Sequence, residues 1–93
     1  MIRPGVEQTI RKGDTLTLEC RVTAGEPTPM LEWQRTDNKD ISPRVTISQI
    51  SSAALFLTIT NPDSTDFGKY ACTARNSIAV VTETVTVIEG IKI

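Results

Sequence analysis

The sequence predicts an all-β sandwich of two antiparallel Greek-key sheets, and three observations lead to that prediction. Apolar and polar residues alternate with a period of two along several short segments, as in strands buried on one face. Turn-forming residues separate these segments at the spacing of about 8–12 residues that sandwiches show. Two cysteines, Cys20 and Cys72, occupy apolar positions of two segments that lie far apart in the chain.

About seven strands are expected from this pattern. In chain order they cover residues 8–11, 15–22, 31–35, 44–48, 53–60, 69–76 and the segment around 85–87. Clusters of Gly, Pro, Asn and Asp separate them at residues 12–14, 25–29, 36–40 and 61–63. No segment sustains the 3.6-residue period of an amphipathic helix.

Four of the strands alternate clearly enough to show which side chains face the core. The inward rows are Leu16, Leu18, Cys20 and Val22; Leu55, Leu57 and Ile59; Tyr70, Cys72 and Ala74; and Val85 and Val87. Because Cys20 and Cys72 fall on two of these rows, a disulfide between them would join the two inner faces. Trp33 lies between the cysteines in sequence and is expected to fill the centre of the core.

Length and charge restrict the class of protein. The chain has 93 residues, which suits one small domain that benefits from a covalent cross-link. Ten basic and eleven acidic residues give a net charge of −1, and no basic run could follow a phosphate backbone. We therefore expect no nucleic-acid partner. No apolar stretch approaches the ~20 residues of a membrane span, so we expect no membrane insertion in this fragment.

Catalysis and metal binding are not expected. The chain contains no histidine and no CxxC pair, so it lacks Ser-His, Cys-His and zinc-ligand arrangements. No Gly-rich phosphate-binding loop is present either. Asp63 and Asp66 fall in a turn, where capping explains paired carboxylates. We predict a non-enzyme with no cofactor, no metal and no small-molecule substrate.

Three ordered motifs resemble the intermediate, or I-set, type of the immunoglobulin superfamily. They are Gly25-x-Pro27-x-Pro29-x-x-x-Trp33-x-Arg35, Leu55-x-Leu57-x-Ile59 followed by Asn61, and Asp66-x-Gly68-x-Tyr70-x-Cys72-x-Ala74-x-Asn76. The resemblance spans residues 5–89 and implies an immunoglobulin-like sandwich with an inter-sheet disulfide.

The resemblance also implies structural roles for individual residues. Tyr70 corresponds to the tyrosine corner, whose hydroxyl bonds to upstream backbone. Gly68 is expected where a Cβ would strain the backbone. Asp66 corresponds to an acid that pairs with a basic residue, here Arg44. The sequence departs from the family at Ala79, where a glycine is usual, and this predicts a wider hairpin turn.

Three residues are candidates for contact with another protein. Ile78 and Val80 lie at or just beyond the last hairpin turn, where loops are normally polar. The alternative is that they begin the last strand and fold onto the core. Phe56 falls between two inward residues and is expected on the outer face of its sheet, where one aromatic is ordinary.

What the resemblance implies about function is binding and spacing of neighbouring modules. We expect a domain over residues 1–88, a linker over 89–93, and an origin in a longer extracellular or cell-surface receptor, adhesion or matrix protein. The N-terminus lacks the apolar core of a signal peptide, which favours an excised piece. Partners would be another protein, a neighbouring immunoglobulin module or a second copy.

The alternative is a structural module of an intracellular muscle scaffold, where some related domains keep both cysteines reduced. Asn38, Asn61 and Asn76 all fail the Asn-x-Ser/Thr rule for glycosylation, which slightly favours this alternative. The complete cysteine pair favours the extracellular interpretation, because a reducing cytosol makes a disulfide useless.

Overall fold

The computed structural model describes residues 2–3 by their backbone and residues 7–22, 27–36 and 40–90 in full. The strands are β1 (Ile2–Arg3), β2 (Glu7–Ile10), β3 (Thr15–Arg21), β4 (Met30–Arg35), β5 (Val45–Ser51), β6 (Ala54–Thr60), β7 (Gly68–Arg75) and β8 (Val80–Glu89). A single 3-10 turn in this described part, Ser64–Asp66, precedes β7. The all-β prediction is therefore confirmed.

The strands form two four-stranded sheets that face each other. Their orders are β1-β3-β6-β5 and β2-β8-β7-β4. The sandwich is confirmed. The prediction that both sheets are antiparallel is wrong for the second sheet, because β2 pairs with β8 in parallel from Glu7–Thr86 to Ile10–Glu89. The two strands run toward the same end of the sandwich, where the Gly90 N–H donates to the Ile10 carbonyl over 2.8 Å.

The core lies between the sheets and contains most of the residues of the predicted inward rows. Cys20 of β3 and Cys72 of β7 form a disulfide, with a Cα–Cα distance of 6.4 Å. This confirms the predicted bond between the sheets. Trp33 of β4 is 3% exposed, and its indole N–H donates to the Leu55 carbonyl over 3.0 Å. The remaining buried apolar residues of the core cluster are Ile10, Leu18, Leu55, Leu57, Ile59, Tyr70, Val85 and Val87.

The structure shifts several predicted boundaries. The fourth predicted strand, expected over 44–48, begins at Val45 and runs on to Ser51. The last strand begins at Val80, well before the segment where alternation was clear. Leu16 and Val22, both expected inside, are only half-buried, because Leu16 lies near the start of β3 and Val22 follows its last residue.

Some expectations concern residues outside the described ranges. They are the glycine of the turn at 25–29, the centre of the turn at 36–40, and residues 91–93 of the expected linker. In the described ranges, no helix combines the length and the apolar character needed to cross a membrane.

Candidate functional site

At one end of the sandwich, a buried carboxylate holds the turn before β7. Asp66 is fully buried, and its Oδ2 accepts hydrogen bonds from Arg44 Nε over 2.7 Å and from the Asp63 N–H over 2.8 Å. The Asp63 carboxylate in turn accepts the Thr65 N–H, and the reciprocal bonds between Asp63 and Asp66 form a capping box. The two aspartates thus act on the backbone of their own turn.

The charge of Asp66 is stabilised despite its burial. Burial alone would raise the pKa of Asp66, but the hydrogen bonds from Arg44 and from the Asp63 N–H outweigh it and hold that pKa below its ordinary value. Hydrogen bonds from Thr65 likewise lower the pKa of Asp63. Both aspartates are therefore ionised near neutral pH.

Tyr70 and Arg35 also bind the turn at this end of the sandwich. The Tyr70 hydroxyl donates to the Asp66 carbonyl over 2.7 Å, which is the geometry of a tyrosine corner. Arg35 lies 4.8 Å from the centre of the Tyr70 ring and donates to the carbonyls of Thr65 and Phe67 over 2.7 and 3.0 Å. The guanidinium therefore fastens the capped turn to β4.

The sequence places Arg35 in a motif but does not predict a role for it. The available signal was its position, since Arg35 continues the inward row of Leu31 and Trp33. Gly68 begins β7 with a φ of 134°, in the region where a Cβ introduces strain. Arg44, Asp66, Gly68 and Tyr70 are thus close together, and their contacts are structural.

The opposite end of the sandwich carries exposed apolar side chains. Met30, Arg75 and Val80 lie side by side on β4, β7 and β8, because Arg75 pairs with both of the others. Their neighbour Ala74 is buried, so this row faces outward. Met30 is 79% exposed, Ile78 76% and Val80 57%. We call Met30, Arg75, Ile78 and Val80 the hairpin-end surface.

Ile78 and Val80 do not fold onto the core, which was the alternative for this segment. Val80 does begin β8, but its side chain stands on the outer face of the sheet. Phe56 lies elsewhere: it is half-buried on the other sheet, between Glu19 and Ser48. The structure thus brings two of the three candidate contact residues together and separates the third.

Asn76 holds the hairpin in place. Its Oδ1 accepts the N–H groups of Ile78 and Ala79 over 2.9 and 2.8 Å, while its Nδ2 donates to the Pro27 carbonyl over 2.9 Å. The paired strands resume at Arg75 and Val80, so the turn spans only residues 76–79. None of these four residues has a positive φ, so alanine is tolerated at position 79 where glycine is usual.

Replacing Asn76 with alanine should loosen the hairpin. The variant loses three side-chain hydrogen bonds, and we expect the free energy of unfolding to fall by about 1–2 kcal/mol because the site is only half-buried. Amide exchange at Ile78 and Ala79 should accelerate. The control is Asn76→Asp, which keeps the Oδ1 acceptor. Unchanged exchange rates in Asn76→Ala would contradict this role.

A family model described as the immunoglobulin I-set domain matches residues 1–88. The chain is 37% identical over 79 residues to the human protein named leucine-rich repeats and immunoglobulin-like domains protein 3, covering 83% of this chain. It is 41% identical over 68 residues to neural cell adhesion molecule L1.1 of Danio rerio, covering 73% of this chain. The chain spans only 7% and 5% of those two relatives.

A solved structure shares the architecture closely. It is a chimeric titin Z1Z2 carrying an exogenous decorin peptide, with a TM-score of 0.80 and 25% sequence identity. The similarity covers 97% of this chain and 92% of that one. The chain is therefore similar both to a cell adhesion molecule in sequence and to a titin domain structure in fold.

Proposed function

Since the chain belongs to the immunoglobulin I-set family, we propose that it is a non-catalytic protein-binding and spacing module of a multidomain protein at the cell surface or in the matrix. The hairpin-end surface is the single observation that supports this best. Three of its four side chains are apolar and more than half exposed, and the four residues lie on three neighbouring strands and the adjoining hairpin. Contiguous exposed apolar patches mark protein interaction sites more often than scattered residues do.

The disulfide-linked strands and the fixed hairpin that support this surface suit it to binding without rearrangement. The disulfide joins β3 to β7, and β7 carries Arg75 into the surface. The Asn76 side chain fixes the adjoining hairpin to the segment at Pro27. A preorganised surface loses less conformational entropy on binding, so the rigid frame favours affinity.

The spacing role follows from the path of the chain. β1 pairs with the end of β3 that leads to the hairpin-end surface, while β8 ends beside Ile10 at the opposite end. The molecule is 47 Å long and about half as wide. Modules joined through such ends would extend in a line.

A second candidate function is a structural module of an intracellular muscle scaffold. The titin Z1Z2 similarity favours it, because it covers nearly the whole of both chains. The cysteine pair separates the two proposals, since an extracellular module can rely on the disulfide and a cytosolic one cannot.

The binding proposal predicts a separation of affinity from stability. In the double variant Ile78→Asp and Val80→Asp, we expect cell-surface binding by a multivalent, fluorescently labelled domain to fall at least about tenfold. The melting temperature should stay within about 2 °C of the wild type, because neither side chain packs in the core. Flow cytometry and thermal unfolding measure the two quantities.

Ile50→Asp is the matched control, because Ile50 is 66% exposed on β5, outside the hairpin-end surface. It adds the same kind of charge and should leave binding intact. Equal binding by the wild type and the double variant would refute the proposal. A large loss of stability in the double variant would instead mean that Ile78 and Val80 stabilise the folded domain.

A further inference from the structure

Two exposed charges of opposite sign stand beside each other on the outer face of the second sheet. Arg75 is in the hairpin-end surface, and Glu32 lies one row further along β4, opposite Thr73. Within the described ranges, neither side chain makes an ion pair or a hydrogen bond. Glu19 and Arg21, by contrast, pair with each other over 2.7 Å on the first sheet.

A shallow depression lies at these two charges. Its volume is about 120 Å³, and it is lined by Met30, Leu31, Glu32, Gln34, Thr73 and Arg75. Small-molecule sites usually occupy ~300 Å³ or more, so this depression suits one inserted side chain rather than a separate ligand. The adjacent Met30 is unbranched and highly exposed, which lets it adapt to an opposing surface.

These features define what a partner must present. It needs a carboxylate against Arg75, a cation against Glu32 and apolar side chains beside them. The surface itself has this composition, because Met30 and Val80 flank Arg75 and Glu32 lies next to Met30. A twofold axis lying between two such faces can place Arg75 of each copy against Glu32 of the other, so that both ion pairs form at once.

We propose that this face binds a second copy of the chain, through two reciprocal Arg75–Glu32 pairs and the exposed side chains of Met30 and Val80. The inference rests on the proposed function, since it names the partner of the hairpin-end surface. Each pair is exposed and worth at most about 1 kcal/mol, so the dimer of the isolated domain is weak. Several modules presented on one surface would raise the overall affinity.

The free edge of β5 is the competing route to a dimer. It carries no charge, and Ile47 and Ile50 are exposed along it. A register shift between Gln49 and Ser51 interrupts its pairing with β6, and irregularities of this kind protect edges from pairing with other chains. The outer face at Arg75 is therefore preferred, and β5 supplies the control.

Charge reversal tests the arrangement directly. Sedimentation equilibrium of the chain at concentrations up to ~1 mM should show a monomer–dimer equilibrium. Arg75→Glu and Glu32→Arg should each raise the dimer dissociation constant about tenfold, because each turns two attractive contacts into repulsive ones. Combining both substitutions restores opposite charges and should return the constant to within about threefold of the wild type.

Ile50→Lys is the control and should leave the dissociation constant unchanged. A wild type that stays monomeric at the highest concentration overturns the proposal, as does a dimer that survives both single reversals. A dimer abolished by Ile50→Lys assigns self-association to β5 instead. A monomer that still binds cells through Ile78 and Val80 refutes only the dimer and leaves the proposed function standing.

Discussion

Replacing Cys20 and Cys72 together with alanine is expected to lower the free energy of unfolding by about 4 kcal/mol. The disulfide closes a loop with a sequence separation of 52, and the chain-entropy model assigns about that much to a loop of this length. A domain of this size has a total stability of roughly 5–14 kcal/mol. The loss therefore removes more than about a quarter of the total stability, and urea unfolding at neutral pH measures it.

The same experiment separates the two functional candidates. Wild-type protein reduced with a thiol-free phosphine should unfold at a urea midpoint close to that of the double variant. If both forms keep their stability to within about 1 kcal/mol, the frame does not depend on the bond, and the intracellular scaffold becomes the better proposal. A large loss in both supports a module built for an oxidising compartment.

Sequence alone could predict the frame because alternation assigns each strand residue to a face. The inward rows around Cys20 and Cys72 identified the core and the bond between the sheets. Alternation does not show how far the opposing sheet extends. Val81 pairs with the buried Ala74 yet is 55% exposed, since it lies near the end of the sandwich.

Contacts between distant residues could not be predicted in this way. Burial of Arg35 depends on the carbonyls of Thr65 and Phe67 and on the Tyr70 ring, which meet only in the folded chain. Likewise, Glu32 and Arg75 are 43 residues apart, and only the register of β4 with β7 brings them near each other. Strand patterns give the face of a residue but not its neighbours on adjacent strands.

Asp66→Asn is expected to lower the free energy of unfolding by about 2–3 kcal/mol at pH 7. The substitution keeps the shape but removes the buried charge that accepts hydrogen bonds from Arg44 and the Asp63 N–H. The neutral amide also gives up the attraction between the carboxylate and the Arg44 guanidinium, in a site where the side chain is fully buried. The expected loss in the free energy of unfolding is smaller than for a fully buried ion pair, because the Arg44 side chain is 36% exposed.

The pH dependence of this loss distinguishes a charge effect from a packing effect. The pKa of Asp66 is held below its ordinary value in the folded state, so its stabilising contribution is fully present above the unfolded-state pKa of about 4. That contribution disappears as the pH falls through the lower folded-state pKa. The difference between the wild type and Asp66→Asn should therefore shrink steadily below about pH 4 in urea unfolding series.

Asp63→Asn is the matched control for this series, because the pKa of Asp63 is also lowered but its carboxylate is exposed. It should retain most of the acid dependence that Asp66 provides. A stability difference for Asp66→Asn that stays constant from pH 7 to pH 2 would mean that shape, and not charge, fixes the turn. In that case Arg44 would serve mainly to cover the turn, and Arg44→Met would be tolerated better than Asp66→Asn.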